Sequence, residues 1–428
     1  MKRCHYACNS PDHLIGRRNF LGTLAAGAGT MAGLGALVHP AAAAQIASQK
    51  KRVLSIFLAG GVSQLESFDP KPGTLNGGPF RAIPTSVPGT HICELLPRTA
   101  QQMHRISLIR TVNTNENDHG LSRYQIERGH KQSPTADFPH IGAIVAKGFD
   151  DGDSPLPGHI HVSSGAGSRS SNSAFLGPKY GSISVGTNGG LRNSKLPGGM
   201  TATVNNQRHS FRRFANERFL QRRRTAETDA YVQSHEQALQ LMENREIFDV
   251  TKEPAKDAER YGSFDLGKQC LLARRLLEND ISFVQVSHSN YDTHAENFNF
   301  HIEQLGEFDQ SFSTLIDDLA ERGMLESTLV VVLTEFGRTP RINRKYGRDH
   351  WGKGFSIALA GCGIQPGAVI GAMSDDGTEI KDREVKPADL FHTYLQAVGL
   401  DPTDEFDIGG RAVPMADPTG QAVEELLA

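Results

Sequence analysis

The chain has 428 residues, of which 38% are hydrophobic, and its 45 basic and 48 acidic residues give a formal net charge of −3. This length fits one large domain or one domain with an insertion, and the apolar fraction excludes a disordered or collagen-like chain. The charge balance disfavours nucleic-acid-binding proteins, which carry a strongly basic domain. Five cysteines are too few for a disulfide scaffold in a chain of this length.

The first 44 residues have the features of an export signal. Arg17 and Arg18 precede an apolar stretch, residues 20–38, that is rich in Gly and Ala, and four alanines at 41–44 offer a cleavage site. The segment resembles a twin-arginine (Tat) signal, which predicts a periplasmic protein with no membrane span after signal removal. Removal would leave three cysteines, and so at most one disulfide.

Four apolar runs predict strands buried on both faces of a sheet: 53–59, 281–286, 329–333 and 356–360. Between the second and third runs, apolar residues from 298 to 319 recur at three- and four-residue steps, which predicts an amphipathic helix ended by Gly323. A strand, a crossover helix and a second strand are typical of parallel α/β proteins. We therefore predict a doubly wound, mostly parallel sheet with helices on both faces.

Two stretches interrupt this pattern. Residues 150–200 are rich in Gly, Ser, Pro and Asn and are predicted to form long surface loops near the site. Residues 205–250 are predicted to be helical, with seven arginines from 208 to 224 interleaved with phenylalanines. They are either an anion-binding patch or a solvated helix face. The prediction is thus a domain over 45–428 with a loop-rich and helical insertion around 150–250, and an irregular tail after Leu400.

Titratable residues cluster near the predicted strand ends. In an open parallel sheet, ligands bind outside the carboxyl ends of the strands. The residues at this edge that suit a metal are Asp69 after the first run, Asp292 and His294 after the second, Glu335 after the third, and Asp349 and His350 before the fourth. Mixed nitrogen and oxygen ligands suit Zn, Mn or Fe. The alternative for an Asp-x-His sequence is a turn with a hydrogen-bonded histidine.

Several sequence blocks are similar to those of a known family. They are Gly-Gly-Val-Ser-Gln-Leu-Glu-Ser-Phe-Asp from residue 60, Tyr-Asp-Thr-His from 291, Glu-Phe-Gly-Arg-Thr-Pro from 335 and Gly-Arg-Asp-His-Trp from 347. The chain resembles, over essentially all of its mature length, a family of exported bacterial proteins known as domain of unknown function 1501. That family is related to the alkaline phosphatase and sulfatase superfamily. The resemblance implies an alkaline-phosphatase-like fold and hydrolysis of phosphate or sulfate esters at a metal site.

The chain departs from the sulfatase pattern at its chemically important positions. Gly60 and Gly61 occupy the places of two metal-binding aspartates, and Glu335 and Phe336 those of an Asp-His pair. The nucleophile position of the Cys/Ser-x-Pro-x-Arg motif falls on His119, so no cysteine is present there to mature into formylglycine. Ordinary sulfatase chemistry is therefore not expected.

The resemblance also implies a ligand set for one metal ion. In two-metal phosphatases of the superfamily, Asp and His residues after a middle strand and a late His hold one ion, and these positions fall on Asp292, His294 and His350. The second metal site would be dismantled, or rebuilt around Asp69, Glu335 and Asp349. The predicted cofactor is a single divalent ion, with Zn, Mn or Ca as candidates.

Three further residues are candidate catalytic groups: His119, Arg123 and Arg338. Either arginine could clamp an anionic oxygen, and His119 could be a general acid or base, or a covalent nucleophile. The structural alternatives are a loop histidine bonded to Asp118 or Asn117, and an Arg338 that pairs with Glu335.

Two functions follow from these features, and a third, less favoured one is binding to nucleic acid or a membrane surface through the arginine-rich stretch. The first is an exported metal-dependent hydrolase that acts on a small anionic phosphate, sulfate or related ester and does not bind nucleic acid. The alternative is a catalytically inactive, alkaline-phosphatase-like binding or assembly protein, because the superfamily's aspartates and nucleophile are missing.

Overall fold

The computed structural model describes residues 50–428 except 153, 155, 164–172, 188–190, 192, 193, 195 and 222–224. The predicted export signal lies outside these residues. Residues 50–428 make up one of the two units into which the chain divides. Within the described part of the chain, no helix is both long and apolar enough to cross a membrane.

The described residues contain strands and helices in mixed order along the chain. The strands are β1 Arg52–Leu58, β2 Ala82–Pro84, β3 His91–Cys93, β4 Ile106–Val112, β5 His159–Ser163, β6 Ile183–Gly186, β7 Phe283–His288, β8 Thr328–Leu333, β9 Gly337–Arg338, β10 His350–Trp351, β11 Phe355–Gly361, β12 Val369–Ile370, β13 Ala372–Met373, β14 Ile380–Asp382, β15 Glu405–Ile408 and β16 Arg411–Pro414. The helices are α1 Pro97–Gln102, α2 His119–Arg128, α3 Ile141–Gly148, α4 Ala202–Leu220, α5 Ala226–Glu243, α6 Ala255–Tyr261, α7 Asp265–Glu278, α8 Asn297–Glu321 and α9 Pro387–Ala397.

Eight strands form the central sheet in the order β12-β4-β11-β8-β1-β7-β5-β6. Seven of them run in one direction, and β11 runs antiparallel between β4 and β8. The four apolar runs correspond to β1, β7, β8 and β11, and the predicted amphipathic helix is α8. The predicted mostly parallel sheet is therefore confirmed.

Helices cover both faces of this sheet. Alternate residues of β1 point to opposite faces: Leu54 and Ile56 belong to a core that includes residues of α7 and α8, whereas Val53 and Phe57 belong to a second core with residues of α3 and α9. All seven residues of β1 are buried, in keeping with a sequence in which all but Arg52 and Ser55 are apolar. The doubly wound arrangement is thus confirmed.

Two regions have more regular structure than predicted. Residues 150–200, predicted as loops, contain β5 and β6, which extend the sheet beyond β7. Their apolar residues are few, namely Ile160 and Val162 in β5 and Ile183 and Val185 in β6, with His and Ser between them. After Leu400, β15 and β16 form an antiparallel hairpin. In both regions, pairing with neighbouring strands stabilises segments whose composition is typical of loops.

The direction of β11 decides what lies at the carboxyl edge of the sheet. The chain leaves the parallel strands β1, β4, β7 and β8 at this edge and enters the antiparallel β11 there, directly after His350. The short β9 and β10 pair with each other, with Arg338 opposite His350. The topology therefore brings segments from five strands to one edge.

Candidate functional site

Three side chains meet at the carboxyl edge of the sheet. Each of His119, Asp292 and His350 offers one ligand atom, and these atoms lie within 4.8 Å of one another. Nε2 of His119 is 3.4 Å from Oδ2 of Asp292, and Nε2 of His350 is 3.1 Å from Oδ1. The residues come from the start of α2, the segment after β7 and the start of β10.

His294 lies on the other side of the same carboxylate. Its Nε2 is 3.1 Å from Oδ1 of Asp292 and 2.9 Å from Nε2 of His350. Two ligands of one ion with bonds of about 2.0–2.1 Å are roughly 3 Å apart. The structure therefore brings Asp292, His294 and His350 together at distances that suit a shared ion, and adds His119 next to them.

Each of the three imidazoles is oriented by an oxygen acceptor at Nδ1. These pairs are His119 with Glu335 Oε1 at 2.8 Å, His294 with Asp349 Oδ1 at 2.9 Å, and His350 with the Asn117 carbonyl at 2.7 Å. A proton on Nδ1 leaves the Nε2 lone pair facing Asp292, which is the usual arrangement of metal-binding histidines. Imidazole nitrogens with a carboxylate suit Zn, Mn or Fe, whereas Ca takes oxygen ligands and fits this set poorly.

Arg338 contacts Asp292 and is fully buried, with 0% of its side chain exposed. Its Nη2 donates to Oδ1 of Asp292 at 2.6 Å and to the Gly60 carbonyl, Nε donates to Gly61 O at 2.9 Å, and Nη1 to Arg348 O at 3.0 Å. Every guanidinium nitrogen thus donates to this framework, and none is left to clamp a substrate. The structural alternative for Arg338 therefore fits the geometry, with Asp292 rather than Glu335 as its partner.

The same contacts determine the charge of Asp292. Burial raises the pKa of its carboxyl group, but the hydrogen bond and positive charge of Arg338, together with the neighbouring histidines, outweigh burial and lower that pKa to about 2. Asp292 is therefore an anionic carboxylate at neutral pH, as a metal ligand must be.

His119 is the first residue of α2, not a loop residue. The side chain of Asp118 caps the helix by accepting from the Gly120 and Leu121 amides at 2.9 and 3.0 Å. The hydrogen bond to Glu335 is the main cause that raises the pKa of His119, against the opposing effect of burial. Glu335 is itself buried and accepts from the Gly60 amide at 2.9 Å. Glu335 is thus placed to orient His119.

The backbone at Gly60 and Gly61 leaves no room for side chains. Both have positive φ angles, 114° and 89°. A Cβ atom on Gly60 would lie 2.5 Å from the amide nitrogen of Asp292, and one on Gly61 would lie 2.7 Å from the Phe336 ring. The space that metal-binding aspartates would occupy is filled by neighbouring groups, so these two positions contribute no ligand side chains.

The remaining predicted residues lie around or away from the cluster. Asp69 is buried and pairs with Lys71 at 3.0 Å and Arg110 at 3.5 Å, and it is not in the metal-competent group of the described residues. Arg123 binds Glu127 at 2.9 Å and covers the Phe57 ring, with 43% of its side chain exposed. Glu335 and Asp349 act through the histidines that they orient.

The sequence did not indicate that Arg348 and Glu66 form a pair. Both side chains are fully buried and form a two-point ion pair, Nε to Oε2 at 3.0 Å and Nη2 to Oε1 at 2.7 Å. Arg348 directly precedes Asp349 and His350, so this pair fixes the segment that carries them. An arginine beside two candidate ligands was the available signal, but its partner lies 282 residues away.

The chain is similar to several solved structures at low sequence identity. The chain is similar to a protein in the alkaline phosphatase superfamily from Vibrio parahaemolyticus, with 12% identity and a TM-score of 0.40 over 89% of this chain and 71% of that one. It is similar to a sulfatase from Pseudoalteromonas sp. (12%, 0.41, 83% and 69%) and to a phosphonate monoester hydrolase from Silicibacter pomeroyi (13%, 0.40, 88% and 76%). No curated protein matches the sequence.

One family model matches nearly the whole described unit. It covers residues 50–427 and is described as "Protein of unknown function (DUF1501)". The match includes every strand of the central sheet and every residue of the cluster around Asp292. The chain therefore belongs to this family, as its sequence blocks predicted.

Proposed function

We propose that this protein is an exported, metal-dependent hydrolase of a phosphate, sulfate or related ester. The observation that carries the proposal is that the Nε2 atoms of three imidazoles lie within 3.1–3.4 Å of the Asp292 carboxylate, each imidazole being oriented through Nδ1. Several titratable groups gathered at one edge lower stability unless they are paired or bind an ion.

In this proposal Asp292, His294 and His350 hold one divalent ion. Their donor atoms are 2.9 to 3.1 Å apart. Three protein ligands leave coordination positions open, as in catalytic sites. A divalent ion bound there would supply Lewis-acid catalysis and a nucleophile derived from water at neutral pH. This would replace the missing cysteine nucleophile of the sulfatases.

His119 and Arg123 take the substrate side of the site. They are four residues apart on α2 and so lie on one face of that helix. Nε2 of His119, oriented by Glu335, faces the cluster and is placed to donate a proton to the leaving oxygen. Arg123 is partly exposed and presents a guanidinium to an anionic ester one turn further on.

The first test measures the metal itself. Elemental analysis of the purified protein should show about one Zn, Mn or Fe per chain, and a chelator should lower its melting temperature. His350→Ala and Asp292→Asn should release the ion, whereas His91→Ala, a change at an exposed histidine on β3, should not. The metal proposal would be refuted if the purified protein contained no stoichiometric ion and a chelator left its melting temperature unchanged.

The second test assigns the roles of the histidines through turnover of aryl phosphate and aryl sulfate esters. His119→Ala should keep the ion and lower kcat by about 10²–10⁴-fold. Glu335→Gln should also keep the ion and lower activity by about 10–100-fold. Loss of the ion from His119→Ala would instead assign His119 to the coordination sphere.

A binding or assembly protein is the second candidate. The packing of Gly60 and Gly61 against Asp292 and Phe336 favours it, because the positions of the superfamily's second metal site are closed. A protein that binds one ion but turns over no aryl ester, while its melting temperature rises with phosphate or sulfate, would support this function over hydrolysis.

A further inference from the structure

Helix α4, Ala202–Leu220, has no buried residue over its 19 positions. Its partly buried side chains recur at 205, 209, 212, 216 and 220, and four of these five are polar. Arg212 and Arg213 on this helix bind Glu236 of α5 at 2.5 and 2.9 Å. The side of α4 that packs against the protein is therefore polar, the reverse of an ordinary surface helix.

The large apolar side chains of α4 point to solvent instead. Val204, Phe211, Phe214 and Phe219 are 46%, 72%, 54% and 51% exposed. At about 100° per residue they fall within an arc of roughly 140°. We call this arc the α4 outer face. Isolated proteins rarely expose contiguous apolar patches. Three exposed phenylalanines on one arc therefore indicate a surface that another molecule covers when the protein functions.

The α4 outer face is also cationic. Arg208 and Arg218 lie within the same arc, and no carboxylate of the described residues pairs with either. The guanidinium of Arg218 stacks over the Phe214 ring at 5.6 Å. The helix has four arginines against one glutamate, in a chain of net charge −3. The sequence continues with arginines at 222–224, outside the described residues.

This combination selects among occupants. A second copy packed about a two-fold axis would bring the arginines of two outer faces together, which like charges disfavour. An anionic partner removes that repulsion, and the phenylalanines require an apolar phase beside the anions. A membrane with anionic lipids offers both, because its headgroup–acyl boundary accepts aromatic side chains and its lipid phosphates attract basic ones.

We propose that α4 docks the protein on the surface of an anionic membrane. Phe211, Phe214 and Phe219 enter the boundary between headgroups and acyl chains, while Arg208 and Arg218 bind lipid phosphates. The helix lies in the plane of the interface and does not span the bilayer. This site is separate from the candidate metal centre, and it holds whether or not the protein is a hydrolase.

The test uses chain 45–428, which contains the whole sheet and both cores, in sedimentation with phosphatidylcholine vesicles with or without phosphatidylglycerol. The protein should bind only the anionic vesicles, and added salt should weaken binding. F211S/F214S and R208Q/R218Q should each lower the partition coefficient by about tenfold or more. L75S/Y346S removes two large, exposed side chains elsewhere, Leu75 at 95% and Tyr346 at 69% exposure, and should change nothing.

Circular dichroism and melting temperature identify variants that fold incorrectly, and light scattering reports the oligomeric state. The proposal fails if anionic vesicles do not bind the protein, or if both α4 variants bind as well as the parent. It also fails if F211S/F214S instead dissociates a dimer, or if it abolishes binding to single-stranded DNA while vesicle binding persists. Metal content and ester hydrolysis should be unchanged in both variants, which keeps this outcome distinct from that of the hydrolase tests.

Discussion

Single residues shape the candidate metal centre by close packing as much as by charge. Gly60 lets the chain turn with its amide on Glu335 and its carbonyl on Arg338 while the Asp292 backbone passes close by. Arg338 in turn holds Asp292 as an anion. Gly60 thus supports the residues of the candidate metal centre through its backbone.

Replacing Gly60 by alanine should destabilise the protein by about 2–4 kcal/mol. The new Cβ would combine a positive φ with a 2.5 Å contact to the Asp292 amide. Urea unfolding measures the change, and metal content should fall as Asp292 is displaced. Gly89 is the matched control, because it has a φ of 83° and nothing within 4 Å of its Cβ position. Gly89→Ala should cost about 1–2 kcal/mol and leave metal content unchanged, and equal effects at both sites would show that the close contact is unimportant.

At the scale of elements, α2 connects the fold to the chemistry. It starts at the cluster with His119, continues to Arg123 one turn later, and is anchored in the second core by Ile126. The position of its first turn therefore determines where both side chains point.

Removing the cap of α2 should affect both stability and activity. Asp118→Ala leaves two amides without their acceptor and should lower the free energy of unfolding by about 1 kcal/mol. Turnover of the aryl ester should fall with it, because His119 is the first helical residue. Thr201→Ala removes the corresponding cap of α4 and should leave turnover unchanged. Equal turnover in the two variants would contradict a role for the α2 cap in positioning His119.

The sequence predicts well those strands and helices whose pattern of apolar residues follows directly from their burial. β1, β7, β8 and β11 are buried and mostly or half apolar, and α8 has a regular apolar stripe. β5 and β6 were missed because their stability comes from pairing at the edge of an existing sheet. The direction of β11 was not predicted either, since both directions bury the same residues.

The candidate site was predictable to the same degree. Asp292, His294 and His350 follow or precede strands, so the topology alone brings them to one edge. Which atoms each histidine presents depends on side-chain contacts over long sequence distances, such as His119 with Glu335. Asp69 follows a strand too, yet its nearest cations, Lys71 and Arg110, hold it elsewhere. No local sequence pattern indicates which distant residue a carboxylate or histidine will contact.

At the scale of the whole molecule, the buried Glu66–Arg348 pair links stability to pH. Burial raises the pKa of Glu66, but the Arg348 charge and its hydrogen bonds, with His301, outweigh burial and lower that pKa below its ordinary 4.5. A lowered folded-state pKa stabilises the protein fully above the unfolded value, and this contribution is lost as pH falls below it.

The expected result is a loss of unfolding free energy as pH falls below about 4.5. Glu66→Gln should cost about 3–5 kcal/mol at neutral pH, because Arg348 is left buried without its partner, and should flatten the acid limb. Denaturant unfolding at a series of pH values measures both effects. Glu379→Gln changes an exposed carboxylate and should leave the profile as it is. An unchanged acid limb in Glu66→Gln would rule out this pair as its source.

The three cysteines of the described residues, Cys93, Cys270 and Cys362, are buried free thiols. Burial raises the pKa of Cys93 to about 12. The part of the chain that the structure describes therefore contains no disulfide, and these three thiols are protected from oxidation by burial and by their protonated state.

The residues of the cluster around Asp292 are far apart in the sequence, so an ion bound there would cross-link distant parts of the chain. Asp292 and His350 are 58 residues apart, and the His119–Glu335 contact closes 216 residues. A ligand shared by such distant segments restricts the unfolded chain as a long-range tether does. Its binding free energy then adds to the cooperativity of the entire fold rather than to one loop.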